Sequence, residues 1–376
     1  MSIIQVNHIS FTYPGSYEPV FTDLTFAMDT DWRLGLVGRN GRGKTTLLRL
    51  LAGQLQGRGE IVASVSFDLF PFPVDEQHSA LTVLRQAIAP FDEWERDMER
   101  LLKEKTSQAI EAWGQIEHAY SAADGYIINE LIAREVSRMA VDATQLERPF
   151  ATFSPGERTR MLLCALFLRK NNFLLIDEPT NHLDMQGREI VAEYLSRKSG
   201  FLLVSHDRAF LDKSVDHIVA LHKAEVRVEQ GTYSTYRHNK QLQDDYEREK
   251  NARLLKDIDR LKQSSREKAV WSDRVEATKI GFGPCDRGAI GAKAARMMKR
   301  SLAIRTRIDR QIEEKESLLK NLEYTAPISL HPLQHPLDTL VRLTDVAAGY
   351  APESPILTGL TLRVKQGERL ALTGPN

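Results

Sequence analysis

The sequence predicts an α/β fold built around a phosphate-binding loop. A helical arm is inserted in that domain, a long antiparallel helical hairpin follows it, and the opening strands of a second domain of the same kind come last. Three observations predict this. A glycine-rich loop, Gly38-Arg39-Asn40-Gly41-Arg42-Gly43-Lys44-Thr45, lies between an apolar run and a helix-like run. Two further apolar runs, 173–176 and 201–204, each end in residues that can do chemistry. The chain also repeats itself. Asp23-Leu24-Thr25-Phe26 returns as Gly359-Leu360-Thr361-Leu362 at an offset of 336 residues, Tyr13 has a near counterpart in Tyr350, and Leu36-Val37-Gly38-Arg39-Asn40 returns as Leu372-Thr373-Gly374-Pro375-Asn376. Internal repetition is a primary signal of architecture. Here it suggests one complete nucleotide-binding half, a connector and a second half cut short inside its own loop.

The first element is the strand Leu34-Gly35-Leu36-Val37 running into the loop, with Thr46-Leu47-Leu48-Arg49-Leu50-Leu51 as the helix behind it. This strand–loop–helix context is what a G-x-x-x-x-G-K-[ST] match requires. Glycines let successive backbone N–H groups turn toward phosphate oxygens, and the helix N-terminus adds its positive end. Lys44 supplies a point charge for the outer phosphates, and the Thr45 hydroxyl is placed to hold Mg²⁺.

Between residues 81 and 148 the pattern turns helical and charged. Trp94, Met98, Leu101 and Leu102 form one stripe, and Ile127, Ile128, Leu131, Ile132 and Val136 form another. Phe153-Ser154-Pro155-Gly156-Glu157-Arg158 then leads into a helix-like stretch from Thr159 to Arg169. Ser154 and the Gly156 amide have the chemistry to bind phosphate at a helix start, but these residues alone read more simply as a Ser-Pro helix cap.

Phe173-Leu174-Leu175-Ile176-Asp177-Glu178 is a continuous apolar run ending in two acids. Buried parallel strands read this way, and ligands gather at their carboxyl ends. Asp177 is therefore placed for Mg²⁺, and Glu178 for orienting or deprotonating a water. Phe201-Leu202-Leu203-Val204 ends in Ser205-His206-Asp207. His206 is of interest only because it sits at a strand end.

From about residue 231 to 323 the sequence reads as two long helices. Leu254, Ile258 and Leu261 seed a seam that Ile304, Ile308, Ile312, Leu319 and Leu322 continue, and Gly281, Gly283, Pro284, Gly288 and Gly291 break the helix midway. The formal net charge of the 376-residue chain is zero, but residues 237–323 hold 22 Lys+Arg against 15 Asp+Glu. Such local excess suits phosphate backbones better than a neutral bulk charge does. Two far-separated cysteines, Cys164 and Cys285, fit neither a metal site nor a disulfide framework and suit a reducing cytoplasm. No signal-peptide pattern opens the chain, and no apolar run approaches the ~20 residues of a membrane span. The expected domains are residues 1–230 with an arm at about 85–148, a connector at 231–335 and the start of a second domain at 336–376.

Together these segments resemble the ATP-binding cassette (ABC) superfamily. The resemblance assigns Tyr13 to the adenine-stacking aromatic and Gly38, Asn40, Gly41, Gly43, Lys44, Thr45 and Thr46 to ATP binding. It makes Thr45 and Asp177 the Mg²⁺ ligands, Glu178 and His206 the catalytic pair, and Ser154, Gly156 and Glu157 a signature loop serving a partner site. Asp177-Glu178-Pro179-Thr180-Asn181-His182-Leu183-Asp184 and Ser205-His206-Asp207-Arg208-Ala209-Phe210-Leu211-Asp212 resemble the ABC-F class of soluble tandem cassettes. Trp271-Ser272-Asp273, Asp286-Arg287-Gly288 and the run from Lys293 to Arg300 resemble its Lsa/Vga-type antibiotic-resistance members.

The resemblance implies a cytoplasmic ATPase, using ATP and Mg²⁺, that acts on the ribosome through large-subunit rRNA and the P-site tRNA. It would protect against lincosamide, pleuromutilin or streptogramin A drugs. A connector tip at about 280–290 would carry the RNA-contacting Arg287, Lys293, Arg296, Lys299 and Arg300. Cassettes of this kind pair head to tail, so the partner is the chain's own second cassette or a head-to-tail second copy, and the fragment alone would be weakly active. A housekeeping ABC-F translation factor and, further off, a transporter's nucleotide-binding subunit are the alternatives. A chromosome or repair ATPase with a coiled coil is disfavoured, because all the cassette motifs precede the long helices. Two departures stand out. Phe153 and Pro155 replace the signature's usual Leu and Gly, and Phe72 stands where the family's loop glutamine belongs, with Gln77 a weak substitute.

Overall fold

The computed structural model describes residues 2–104, 106–222, 225–277, 336–351 and 354–371, plus helical positions 299, 303, 306–313 and 315 (side chains of 264–277, 350–351 and 354 excepted). The chain opens with β1 (Ile3–Phe11), β2 (Phe21–Asp29) and β3 (Arg33–Val37), followed by α1 (Lys44–Leu51), β4 (Arg58–Val62) and β5 (Ser66–Phe70). A helical section comes next: α2 (Ala80–Ile88), α3 (Phe91–Glu104), α4 (Ser107–Ala122), α5 (Ile128–Arg138) and α6 (Pro155–Leu168). The domain closes with β6 (Asn172–Asp177), α7 (Met185–Ser196), β7 (Phe201–Val204), α8 (Arg208–Ser214), β8 (His217–Leu221) and β9 (Val226–Gln230).

A six-stranded sheet has the order β5-β6-β7-β3-β8-β9. Neighbours are parallel except at β8–β9. Its central strands are apolar throughout because both faces are covered. Leu174, Ile176, Leu203, Ile218 and Ala220 face a core shared with α2, α5, α6 and α7. Phe173, Leu175, Leu202, Val204 and Val219 face a second core shared with α1 and the antiparallel sheet β2-β1-β4. The period-two alternation of a strand thus sorts one continuous hydrophobic run into two cores.

In the helical section, Trp94 and Met98 pack on the first core, whereas Leu102 is 61% exposed. At ~100° per residue Leu102 sits about 80° round from Trp94, off the line that Met98 and Leu101 keep. In the second stripe Ile128, Ile132 and Val136 are buried, while Ile127 lies ahead of α5 and is exposed. A polar knot ties this section to the sheet side. Buried Glu135 accepts from Tyr194 Oη (2.7 Å), Lys198 Nζ (2.7 Å) and Arg138 (2.6 Å). Burial pushes the Glu135 carboxyl up, but Lys198, Tyr194 and Arg138 outweigh it and hold it below the ordinary carboxylate range. The Cys164 thiol donates to the Glu135 carbonyl, and burial pushes its pKa up to about 12, leaving it an inert core thiol.

Residues Met1–Arg237 fall in one compact unit and His238–Leu370 form another. The helix α9 (Tyr233–Ala277) starts in the first. Within the second, Ile258, Ile308 and Ile312 are buried together with Leu261 beside them, and Lys315 pairs with Asp257 at 2.5 Å. The tip at 280–290 and Arg287, Lys293, Arg296 and Arg300 lie outside the described residues; Lys299 is exposed on helical backbone.

The second unit also contains the hairpin β10 (Thr339–Ala351) and β11 (Ser354–Lys365). It repeats a detail of β1–β2. His8 and Asp23 break the first hairpin's register in left-handed conformations (φ 53° and 57°), and Asp345 and Gly359 do the same in the second (φ 50° and 68°). Thr25 Oγ1 accepts from the His8 amide at 3.0 Å, and Thr361 Oγ1 from the Asp345 amide at 3.2 Å. The repeat therefore extends to a shared bulge pinned by one threonine. The phrase 372–376 lies outside the described residues. Among those described, no helix is long and apolar enough to cross a membrane.

Candidate functional site

The carboxyl ends of β3, β6 and β7 open on one pocket of about 370 Å³, where parallel sheets collect ligands. The loop after β3 supplies Asn40, Gly41, Gly43, Lys44, Thr45 and Thr46. Gly43 is required twice over. Its φ is +87°, and a Cβ there would stand 2.6 Å from Val20 Cγ1 and 2.8 Å from Phe21 Cζ. As the left-handed N-cap of α1 it offers no side-chain acceptor, and no acid lies in the first turn. The helix's leading N–H groups are thus left for an anion.

Lys44 Nζ donates to the Gly38 carbonyl at 3.0 Å, across the loop it belongs to. Thr45 Oγ1 donates to Asp177 Oδ2 at 2.8 Å, joining residues 132 apart in sequence. Tyr13 Oη and Thr46 Oγ1 are 2.9 Å apart, and the Tyr13 ring stands edge-on to Phe11 with centroids 4.9 Å apart.

Glu178 follows β6 in a left-handed conformation (φ 49°), its amide donating to the Val204 carbonyl at 2.9 Å. The His206 amide donates to Glu178 Oε2 at 3.3 Å. Oε1 is buried and has no hydrogen-bond donor; His206 Nε2, at 3.4 Å, is near enough for electrostatic attraction only. Burial raises the Glu178 carboxyl above its ordinary range, with Asp177 adding to the rise and His206 and Lys44 opposing it. A buried carboxylate oxygen lacking a donor beside a phosphate-shaped loop is equipped to take a proton from water.

All the sequence-predicted residues of this group line the pocket except Gly38, which instead receives Lys44. Val20 and Val204 were missed. Val204 was visible as the end of an apolar run, but Val20 has no local signal and reaches the pocket only because β1–β2 folds over the loop.

Ser154, Gly156 and Glu157 do not line the pocket. They form the start of α6 as a capping box: the Glu157 amide donates to Ser154 Oγ (3.3 Å), and Ser154's amide and hydroxyl donate to Glu157 Oε2 (2.9 and 2.8 Å). Burial pushes the Glu157 carboxyl up, but the Ser154 hydrogen bonds and Arg160 bring it below the usual range. Pro155 sits at the first helical position, where an N–H would have no partner in the helix, so it costs the helix nothing. Phe72 lines a neighbouring cleft of about 480 Å³ with Phe70, Pro155 and Arg158, and that cleft shares Asp177 and Glu178 with the pocket. Gln77 lines neither.

Residues 21–181 match the family described as ABC transporter. The ATP-binding protein YdiF of Bacillus subtilis is 29% identical over the whole chain, which spans 56% of its length. The energy-dependent translational throttle protein EttA of Mycobacterium tuberculosis is 28% identical over 63% of the chain and 44% of its own length. The tylosin resistance ATP-binding protein TlrC of Streptomyces fradiae is 26% identical over 95% of the chain and 67% of its length. The chain thus spans roughly half to two-thirds of the relatives it matches. With the sheet order, the loop and the converging carboxylates in place, residues 21–181 have the fold of an ABC-type nucleotide-binding domain.

Proposed function

We propose that this chain binds ATP with Mg²⁺ in the pocket and hydrolyses it, and that the protein it represents works on the ribosome. The observation that carries the enzymatic reading is Glu178 Oε1, a buried acceptor without a donor at the edge of the phosphate loop. Glu178 would accept the proton of the attacking water, with His206 beside it holding the reacting groups. Lys44 would exchange the Gly38 carbonyl for phosphate oxygens, Tyr13 would stack on the base, and Val20 would extend that apolar wall. Thr45 and Asp177 offer two hard oxygen donors 2.8 Å apart. Mg²⁺ is commonly held by one or two protein oxygens, with phosphate and water completing the shell. The ion would neutralise charge on the transferring phosphate.

Lys44→Ala is expected to weaken ATP binding about 100-fold, two charge-assisted bonds at ~1.5 kcal/mol each. Titration with a fluorescent ATP analogue measures it, and unchanged affinity would place the nucleotide elsewhere.

Two relatives whose names refer to translation and to tylosin resistance support the ribosomal reading. So does the basic surplus of residues 237–323. In this reading residues 1–230 are the first cassette and 231–335 the connector. Arg287, Lys293, Arg296, Lys299 and Arg300 contact large-subunit rRNA, beside the P-site tRNA. The hairpin at 339–365 opens a second cassette, which its shared bulge with β1–β2 favours. Ser154, Gly156 and Glu157 serve that partner cassette or a second copy, and peptidyl-transferase-centre drugs are what the connector counters. The throttle-protein relative favours a second reading, a translation factor without drug protection. Ribosomes pelleted with the chain and ATP test the common part. Retention is expected to fall steeply with salt, and salt-independent or absent retention would sink it. Rescue of translation from a pleuromutilin then separates the two readings.

A further inference from the structure

Asp212, at the end of the run from Ser205, does not line the pocket, yet it makes two hydrogen bonds to another element. Asp212 lies in the last turns of α8. A carboxylate there is misplaced for its own helix, whose C-terminal end carries the negative pole. Asp212 Oδ1 accepts from the Ser234 amide at 2.6 Å, and Oδ2 accepts from the Ser234 hydroxyl. Ser234 is in the first turn of α9, where leading amides need acceptors and a negative charge is favoured. The placement is wrong for α8 and right for α9.

The other end of α8 starts at the pocket. His206 lines it, and the next residue, Asp207, caps α8 by accepting from the Phe210 amide at 3.1 Å. Asp207 also accepts from Arg188 of α7 at 3.2 Å. Phe210 and Leu211 are buried, and Ser214 Oγ donates back to the Phe210 carbonyl at 2.8 Å. The short helix is therefore braced along its length. Five residues, 207–211, separate His206 from Asp212, and the helical part from Arg208 to Asp212 spans about 6 Å at 1.5 Å per residue. Tyr233 and Tyr236 pack the same turn of α9 against the first core.

We propose that Asp212 is a positioning residue that couples the nucleotide pocket to the root of α9. A shift of His206 toward a bound γ-phosphate moves α8 as a rigid piece, and the Asp212 carboxylate carries that shift into the amides of the first turn of α9. The inference rests on the reading that the pocket takes ATP.

Hydrogen–deuterium exchange of residues 233–237, measured with and without ATPγS and Mg²⁺, tests it. In the unaltered chain the nucleotide is expected to slow these amides several-fold. In Asp212→Ala they should exchange faster, and the nucleotide-dependent change should vanish while ATPγS still binds. Asp212→Asn, which keeps an acceptor but loses the charge, and Ser234→Ala, which keeps the amide, should each retain part of the change; they serve if the alanine variant does not fold. A purely structural cap predicts faster exchange with the full nucleotide response intact, and that result overturns the coupling. Binding of ATPγS with no response at 233–237 in the unaltered chain also overturns it, leaving the pocket's function standing. Failure to bind ATPγS at all overturns both.

Discussion

Glu178→Gln is expected to lower the ATP turnover number by about 10²- to 10⁴-fold, the usual worth of a positioned general base. ATP affinity should stay within a few-fold. The amide matches the carboxylate in size, so the His206 amide keeps an acceptor at the Oε2 position and the left-handed turn at Glu178 is untouched. What is lost is a buried carboxylate oxygen in the pocket that has no hydrogen-bond donor. An effect confined to turnover marks an interaction made in the transition state rather than in binding.

The pH profile adds a second check. Burial, with Asp177's charge, raises the Glu178 carboxyl against the opposing pull of His206 and Lys44. The base acts only when ionised, so activity is present above this raised pKa and lost as pH falls through it. The acid limb should therefore lie above the ordinary carboxylate range and be missing from whatever activity the glutamine variant retains. Phosphate release across pH measures both. Turnover within a factor of three of the unaltered chain would remove Glu178 from the chemistry.

Glu135→Ala is expected to destabilise the domain by about 3–5 kcal/mol, the cost of removing one partner from a buried ionic knot. Without the carboxylate, Lys198 loses its 2.7 Å acceptor while its ammonium stays over the Tyr194 ring at 4.7 Å, and the Tyr194 hydroxyl is left without its acceptor in a buried site. The knot joins α5 of the helical section to Tyr194 in α7 and to Lys198 just beyond it, so its loss loosens the packing between layers rather than one helix. Glu135→Gln should cost less, because it still accepts from the hydroxyl.

The folded-state pKa of Glu135 is lowered. Its stabilisation is therefore complete above the unfolded carboxylate pKa and is lost as pH falls through the lower folded value. Thermal melts near neutral pH should show the full gap between Glu135→Ala and the unaltered chain, and melts in strong acid a smaller one. Equal melting temperatures near neutrality would refute the claim.

Some of this was readable without a fold. Gly43 could be read because a left-handed, crowded turn accepts little else, and the motif states that backbone requirement in consecutive residues. Asp177 and Glu178 could be read because a strand covered on both faces shows as an unbroken apolar run, and its end marks where ligands collect. The Ser154–Glu157 capping box is equally local, and it accommodates Pro155 at the first helical position. Leu102 was misjudged because periodicity counts helix faces without knowing how far the core extends. Val20 was missed because its neighbours in the chain say nothing about the pocket it walls.

By itself the sequence determined what short-range sterics and solvent exclusion dictate: the phosphate loop, the apolar strands with acids at their ends, the long helix Tyr233–Ala277 and the repeat of the opening hairpin. Only the tertiary structure decided which distant side chains meet. Thr45 reaches Asp177 across 132 residues, Tyr194 reaches Glu135 across 59, and Ser234 reaches Asp212 across 22. The reason is physical. A backbone preference is set by a residue and its immediate neighbours, whereas a side-chain contact depends on strand order, register and helix packing, which are settled by burying both faces of one sheet at once.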